Sequence, residues 1–502
     1  MARINQSSGQ GALFELVARG QKDNYFVKDS KDSYFPFDAR YNSSTHHLAE
    51  RRTTVPITQT HFGKTFEVEI DAYGDVMTEC SFEIDLPSWL PPLPAQPAKQ
   101  MSDPSVANGL YPITTPAGVS YGYVNYVGYF LFEKSQFYQD QFLIQEWSGD
   151  GLLAKQLTEG SWNSSFLQQV DGGLIGSKIG QVANRDIQLR ATPGHLTLTL
   201  PLPGMQCPGD GGFPLVAVSW QTFRIKATLR KLEDLVVCSD LTILKPKPWT
   251  MPSFTYTFDN GVPYTFAPKS LLDIGQPTIL LSTVQHYLPP AMQEQLRSKP
   301  IQLPFRKQFE NLFSFGELDY IPLDKGGVAA VTRPLDGRHP TERLLWFFRS
   351  QTTLDSNRLD NFYNDYFDTF TTTNTQPYTT PYGEYYYRMK LVIAGKDRED
   401  IYEPFVLNKM TQLAKEEKAT GKQIGVMKWS TGDTYGTVYP AERQPEGSVN
   451  FTTADRPTLY IELANIRTNV YLGQRKAEMR LYTEGWNVYQ IEGGRGRIMF
   501  AN

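Results

Sequence analysis

At 502 residues the chain is too long for a single hydrophobic core, because cores stop growing near ~300 residues, so at least two are expected. With 40% apolar and 20% charged side chains it is neither a disordered nor a collagen-like chain. The net charge of −4, from 49 basic and 53 acidic residues without a dense basic run, excludes the broad cationic footprint of direct nucleic-acid binding.

Phe, Tyr and Trp together make 13% of the chain, and ring side chains suit the pleated, half-buried surface of a sheet, so a β-rich protein is expected. The first 35 residues read as an arm. Their start, MARINQSSGQG, has no apolar run of the kind that directs secretion. ALFELVARG at 12–20 is one short amphipathic turn with Leu13, Leu16 and Val17 on a stripe. Such a stripe can dock on a neighbour for a few kcal/mol but is too short to fold alone.

Strict alternation then marks strands, since a strand with one buried face repeats every second residue. FEVEID sets Phe66, Val68 and Ile70 against Glu67, Glu69 and Asp71, and SFEIDL repeats the pattern with Phe82, Ile84 and Leu86. A Pro-rich loop follows at 87–109, then a short helix, GLLAKQL, at 151–157. HLTLTLPL places Leu196, Leu198, Leu200 and Leu202 on one face; FRIKATLR does the same with Phe223, Ile225, Ala227 and Leu229. Between them the apolar run from Phe213 to Trp220 reads as a strand covered on both faces, and it falls far short of the ~20 residues that span a bilayer. Alternation lapses in a Pro-dense stretch from 238 to 270, which splits the chain almost evenly. Beyond it come a short helix at 290–297, a Thr, Tyr and Pro-rich projecting loop at 369–387, and an amphipathic stretch from Asp397 to about Gly421 with Val406, Met410 and Leu413 on one side. The strands RMKLVIAG, TLYIELA and WNVYQIE close the chain. Each half has the size and many short strands of an eight-stranded jelly roll, although no repeat is visible in the sequence.

Catalytic and cofactor motifs are missing. GKT at Gly63 to Thr65 lacks a phosphate-loop glycine, with Thr58 standing five positions earlier, and no strand leads into GxGxxG. His46, His47 and Glu50 could suggest a metal, but adjacent histidines point apart in regular structure, so a solvated loop fits better. Glu67 and Glu69 share a strand face and could mimic a glycosidase pair, yet alternating acids are the ordinary wet face of a sheet. Cys80, Cys207 and Cys238 are odd in number and widely spaced, as small buried side chains in a reducing compartment would be. Sequons at Asn5, Asn42, Asn163 and Asn450 read as chance occurrences in a chain without a secretory leader.

Certain segments carry a family likeness. GALFELVARGQKDNYF, FLIQEWSGDGLLAKQLT at 142–158 and PLPGMQCPGDGGFPLVAVSWQTFRIKATL at 201–229 resemble the major capsid proteins of eukaryotic nucleocytoplasmic large DNA viruses. HPTERLLWFFRS at 339–350, LVIAGKDRED at 391–400, ERQPEGSVNFTTAD at 442–455 and the ending YTEGWNVYQIEGGRGRIMFAN continue the likeness in order. The region between Asp38 and Phe66 and the loop at 366–388 depart from that family's pattern. The resemblance implies an all-β double jelly roll with short connecting helices: an arm at 1–35, a first jelly roll at 36–240, a linker at 241–270 and a second jelly roll at 271–502. It further implies a structural virion protein with no enzymatic activity and no cofactor. Homotrimers would form pseudohexagonal capsomers that tile an icosahedral shell, assembled in the host cytoplasm. Neighbouring capsomers, minor capsid proteins, a penton protein and an inner membrane would be its partners, with the arm on the inner face. A paralogous scaffold or minor capsid protein of the same fold is the nearer alternative, and a carbohydrate-binding jelly roll the more distant one.

Overall fold

The computed structural model describes residues 48–89, 121–159, 195–206, 211–238, 243–257, 263–316, 319, 329–338, 340–360, 386–397, 402–403, 406–411, 424–429, 447–454, 457–463 and 477–500. In the first half the principal strands are β1 Leu48–Thr54, β2 Thr65–Glu69, β3 Val76–Asp85, β4 Phe132–Gln139, β5 Phe142–Trp147, β6 His195–Thr199, β7 Phe223–Leu229 and β8 Thr278–Tyr287. They form two antiparallel sheets of four, ordered β1-β8-β3-β6 and β2-β7-β4-β5. The second half runs β9 Ile301–Phe315, β10 Ala329–Pro334, β11 Pro340–Ser350, β12 Tyr386–Ile393, β13 Lys396–Asp397, β14 Gly425–Lys428, β15 Thr458–Leu463 and β16 Ala477–Glu492. Its main sheets are ordered β9-β16-β11-β14 and β10-β15-β12-β13. Numbered within each half, both give 1-8-3-6 facing 2-7-4-5. The repeat that the sequence hides is plain in the strand order, and it is that of a jelly roll.

The alternating segments build the cores. Phe66, Val68, Phe82, Ile84, Leu196, Leu198, Phe223, Ile225 and Leu229 are all buried between the sheets of the first half. Phe82 stacks on Phe132, with ring centroids 5.0 Å apart. In the second half Trp346, Phe348, Met389, Leu391, Leu459, Ile461, Met479 and Leu481 form a separate core. Trp346 lies flat over Gly425, where a Cβ would come within 2.1 Å of the indole, so only glycine lets β14 pair with β11 there. Four short helices join strands among the described residues: α1 Val127–Phe130, α2 Gly149–Glu159, α3 Pro290–Ser298 and α4 Gln351–Asp355, and α2 and α3 contain the helices expected at 151–157 and 290–297.

Several expectations change. Strand β8 lies beyond residue 270, where the second jelly roll was expected to begin, yet it pairs with β1 and β3 and completes the first half's sheet. Its alternation is masked because Thr283 and Gln285 are buried, and the Gln285 amide serves the turn before β3, accepting from the Tyr73 and Gly74 N–H groups and donating to the Asp71 carbonyl. The stretch expected to be a linker carries a hairpin, Phe254–Thr257 with Pro263–Phe266. Phe213 to Trp220 is not a strand. Phe213 bridges Met77, Pro214 has no N–H to extend a ladder, and Leu215–Val218 turns into a buried 3-10 helix. Within 397–421 the described residues form only one π-helical turn, Val406–Met410. Its buried side chains are Leu407 and Asn408; Met410 is exposed, and Leu413 lies outside the described residues. The helix expected at 12–20, the loop residues 90–109 and 369–385, and the turn residues 442–446 also lie outside them.

Candidate functional site: the seam between the two halves

The central strands β16 and β11 of sheet β9-β16-β11-β14 are buried on both faces. One face looks into the second half's own core; the other presents Leu345, Phe347, Val426 and Tyr482, which join the core cluster of the first half, to which Leu153 and Leu157 of α2 also belong. Strand β16 therefore has nine consecutive buried residues, from Leu481 to Tyr489. Helix α2 approaches the sheet closely because its first turn carries glycines. A Cβ on Gly151 would stand 2.8 Å from the Tyr482 ring and from Gln308 Oε1.

At the centre of the seam sits Asp150, fully buried at the start of α2. It accepts from Arg349 on β11 at 2.5 Å, from Arg480 on β16 at 3.2 Å, and from Arg230 just after β7. Arg480 also pairs with Glu310 and Glu478 at 3.0 Å each, and Arg349 lies 3.6 Å from Glu478. Three guanidiniums thus face three carboxylates, with Asp150 and Arg349 fully buried and Glu310 at the exposed edge of the cluster. Burial by itself would raise the Asp150 pKa, but the guanidiniums of Arg349, Arg230 and Arg480 outweigh it and hold the carboxyl well below the usual range. Glu310 moves the other way: its burial raises the pKa more than Arg480 lowers it. The Tyr482 hydroxyl, pushed far up by burial and then by Glu310 and Asp150, stays protonated and donates to Glu310 at 3.1 Å. A second buried pair, Arg343 with Glu484, is braced by the Gln308 amide, whose N–H₂ donates to Glu484. Such clusters cost desolvation and contribute geometry more than net stability, because each charge is satisfied in one arrangement only.

Side-chain amides finish the seam by substituting for missing strand partners. Gln206 accepts from the Arg306 N–H at 2.7 Å and donates to the Arg306 carbonyl at 3.0 Å, and Gln145 donates to the same carbonyl. Gln221 treats Gly496 in the same way, accepting at 2.6 Å, while Gln139 donates to the Gly496 carbonyl and accepts from the Tyr489 hydroxyl. Asn357 donates to the Val236 and Glu233 carbonyls, and Asn125 to Asp360. The two jelly rolls are sealed by apolar, ionic and backbone-directed contacts at once.

The residues singled out from sequence fall elsewhere. Leu13, Leu16, Val17, Asn5, Asn42, Asn163, His46, His47 and Cys207 lie outside the described residues. Glu50 pairs with Arg52 and accepts from the Tyr287 hydroxyl. Glu67 is on the outer face of β2, between Arg224 and Lys226, as a wet strand face requires. Asn450 is buried, and its side-chain carbonyl accepts from the Thr452 and Thr453 N–H groups. Cys80 and Cys238 are buried, and burial pushes the Cys80 pKa up. Among the described residues no group of His, Cys, Asp or Glu is placed to hold a metal ion, and no helix is long and apolar enough to cross a membrane. The seam residues were not singled out from sequence, although Asp150 and Arg349 stand inside two of the family-like segments. The available signal was a charge set in an apolar run, as in SGDGLL and LLWFFR.

Comparison with solved structures shows the same architecture along almost the whole chain. VP54 of PBCV-1 superposes with a TM-score of 0.63 at 15% identity, covering 93% of this chain and 100% of that one. The chain is a double jelly roll. The Faustovirus major capsid protein also matches, with a TM-score of 0.54 at 13% identity, over 91% of this chain and 92% of that one. In sequence, this double jelly roll is 27% identical to the major capsid protein of Phaeocystis pouchetii virus over 113 residues, 22% of the chain and 20% of that protein. It is 35% identical to the major capsid protein of Chrysochromulina ericina virus over 63 residues, 12% of the chain and 10% of that protein. The matched stretches thus span a fifth or less of these curated relatives. No family model matches the sequence. The likeness read from the sequence holds: the relatives and the fold neighbours are capsid proteins of large DNA viruses, structural proteins and not enzymes.

Proposed function

We propose that this chain is the major capsid protein of a large DNA virus, and that three copies form a pseudohexagonal capsomer which tiles an icosahedral shell. The observation that carries the reading is the seam. Two jelly rolls of identical strand order are locked side by side by a buried ion cluster, so that one chain supplies two stiff, equivalent wall units. Six such units, from three chains, make a hexagonal tile. The work is geometric and requires no catalytic residue or cofactor.

In this reading neighbouring capsomers, a penton protein and minor capsid proteins are the partners, assembly takes place in the host cytoplasm, and residues 1–35, with Leu13, Leu16 and Val17, form an arm on the inner side of the shell above a membrane. The place where the chain enters the fold supports the arm. Leu48 opens β1 opposite Tyr287, at the end of the first sandwich where the turns before β3 and after β4 also lie. Light scattering of the purified chain should give three times 57.0 kDa. A monomer at micromolar concentration would contradict the reading. Virions should hold thousands of copies; a few copies per particle would favour the paralogous scaffold or minor protein instead.

A further inference from the structure

Among the described residues one tryptophan is exposed. Trp220 follows the buried 3-10 helix Leu215–Val218 and is 79% exposed. It is nevertheless held in place: a Cβ on Gly494 would stand 2.5 Å from the indole Cδ1 and 2.9 Å from Nε1, so the edge of the ring rests on the turn between β16 and the strand Arg495–Ile498. Phe142, 74% exposed, opens β5 opposite Gln139. Both rings belong to one site, because the segments that carry them are tied to each other and to that turn. The Asp140 N–H donates to the Thr222 carbonyl at 2.8 Å, and the Asp140 carboxylate accepts from the Thr222 N–H at 3.0 Å. Gln139 and Gln221 then meet at Gly496. Apolar residues gathered at one site mark a docking surface, whereas scattered single ones need no explanation.

The chain itself contains a matching occupant. Leu48, where the chain enters the fold, lies at the same end of the first jelly roll. It pairs with Tyr287; the neighbouring His286 carbonyl accepts from the Asp75 N–H, the Asp75 carbonyl accepts from the Val216 N–H, and Val216 stands in the 3-10 helix that leads to Trp220. Residues 18–47 separate Leu48 from the stripe Leu13, Leu16 and Val17. A flexible tether of that length has a mean span of about 30 Å, the width of a small domain, and holds its end at roughly millimolar effective concentration. The stripe is too short to fold alone, so it needs a surface; the rings are exposed, so they need a cover. An acidic lipid surface also suits exposed aromatic and arginine side chains. Here, however, Glu492 lies 3.8 Å from Arg497 and opposite Arg495, with Asp140 close by, so the site has no excess of positive charge to attract one.

We propose that Trp220 and Phe142 seat the apolar stripe of the same copy's arm, Leu13, Leu16 and Val17. Docking supplies the tertiary contact without which a nine-residue amphipathic segment does not stay helical in water. The inference rests on the arm read above and adds the surface that holds it.

The test places a photo-cross-linking residue at Leu16 in the full chain, in particles reassembled from isotopically light and heavy copies. Cross-links should fall on peptides that contain Trp220, Phe142 or the 492–495 turn, and should join light to light or heavy to heavy. Hydrogen exchange should find the amides of 13–17 protected, and the double variant Trp220→Ser with Phe142→Ser should speed their exchange about tenfold. That variant loses only two exposed rings, so its far-ultraviolet spectrum and its mass in light scattering should match those of the unchanged chain. Cross-links at the same end of the fold but away from these residues, or joining light to heavy, would overturn the seat and leave the inner arm in place. Cross-links confined to the opposite end, such as residues 269–277 before β8, would overturn the inner arm as well. Amides at 13–17 that exchange as fast in the unchanged chain as in the variant, with phosphatidylserine vesicles floating the unchanged chain but not the variant, would replace the arm by a lipid surface.

Discussion

Sheets β1-β8-β3-β6 and β9-β16-β11-β14 occupy the same position in their jelly rolls, yet the outer face of the first carries exposed Arg51, Glu79 and Thr199 beside buried Ser81 and Ser282, while the central strands of the second are buried on both sides. The difference shows in composition. On β8 and β3 the outward positions are Ser282, Leu280, Ser81 and Glu83; on β16 and β11 they are Tyr482, Glu484, Leu345 and Arg349. Large, charged and aromatic side chains fill the face that receives another jelly roll within the chain, where each charge meets a partner supplied by folding. On the first sheet Ser81 and Ser282 are small and buried, and the charges beside them, Arg51 and Glu79, are exposed and paired with each other.

The sharpest way to break this comparison is to remove the anion at the centre of the covered face. Asp150→Ala leaves Arg349, Arg230 and Arg480 facing one another without their shared carboxylate, and the expected loss is about 3–5 kcal/mol in chemical unfolding. A loss under about 1 kcal/mol would mean that the cluster does not organise the seam. Gly151→Val drives a side chain into Tyr482 and Gln308 and should cost about 1–3 kcal/mol. On the outer face of β1-β8-β3-β6, Thr197→Arg should change the stability of the isolated chain by less than about 0.5 kcal/mol, since surface substitutions away from packed features rarely exceed that.

Titration separates the regions further. The Asp150 pKa is depressed in the folded chain, so its contribution is complete above the unfolded value near 3.8 and is lost as pH falls toward the lower folded value. Unfolding should therefore become easier below about pH 4, and the Asp150→Ala variant should lack that component. Lys307 on β9 gives a slope of the same sign in a different pH window. Burial lowers its pKa from 10.5 to about 8, so between those values the unfolded chain binds more protons and stability should rise with pH. The urea midpoint measured at pH 8 and pH 10 checks the sign, and Lys307→Met should flatten the slope. A small effect is also expected on the wet face: Glu67→Gln removes two half-exposed ion pairs and should shift stability by less than about 1 kcal/mol.

What the sequence shows, and what it hides, follows from the same contrast. Strands with one wet face, such as β2, β6 and β7, declare themselves by alternation, and every apolar residue read from them is buried. Strand β16 loses its alternation from Leu481 to Tyr489 because both faces are covered, and β8 loses it because Gln285 is buried to serve a turn. The halves carry one strand order without a visible repeat, since backbone pairing accepts many side-chain sets. The seam was hidden for another reason. Gln145 and Arg306 are 161 positions apart, and Asp150 meets Arg480 across 330, so nothing local marks them as partners. A glutamine that completes a neighbour's backbone looks, in sequence, like any surface glutamine.

The central claim is that one chain supplies two equivalent wall units and that three chains close a ring. Electron microscopy of the purified protein tests it most directly. Six-lobed rings with threefold symmetry, each chain accounting for two adjacent lobes, are the result predicted here; isolated two-lobed particles at all accessible concentrations would contradict it.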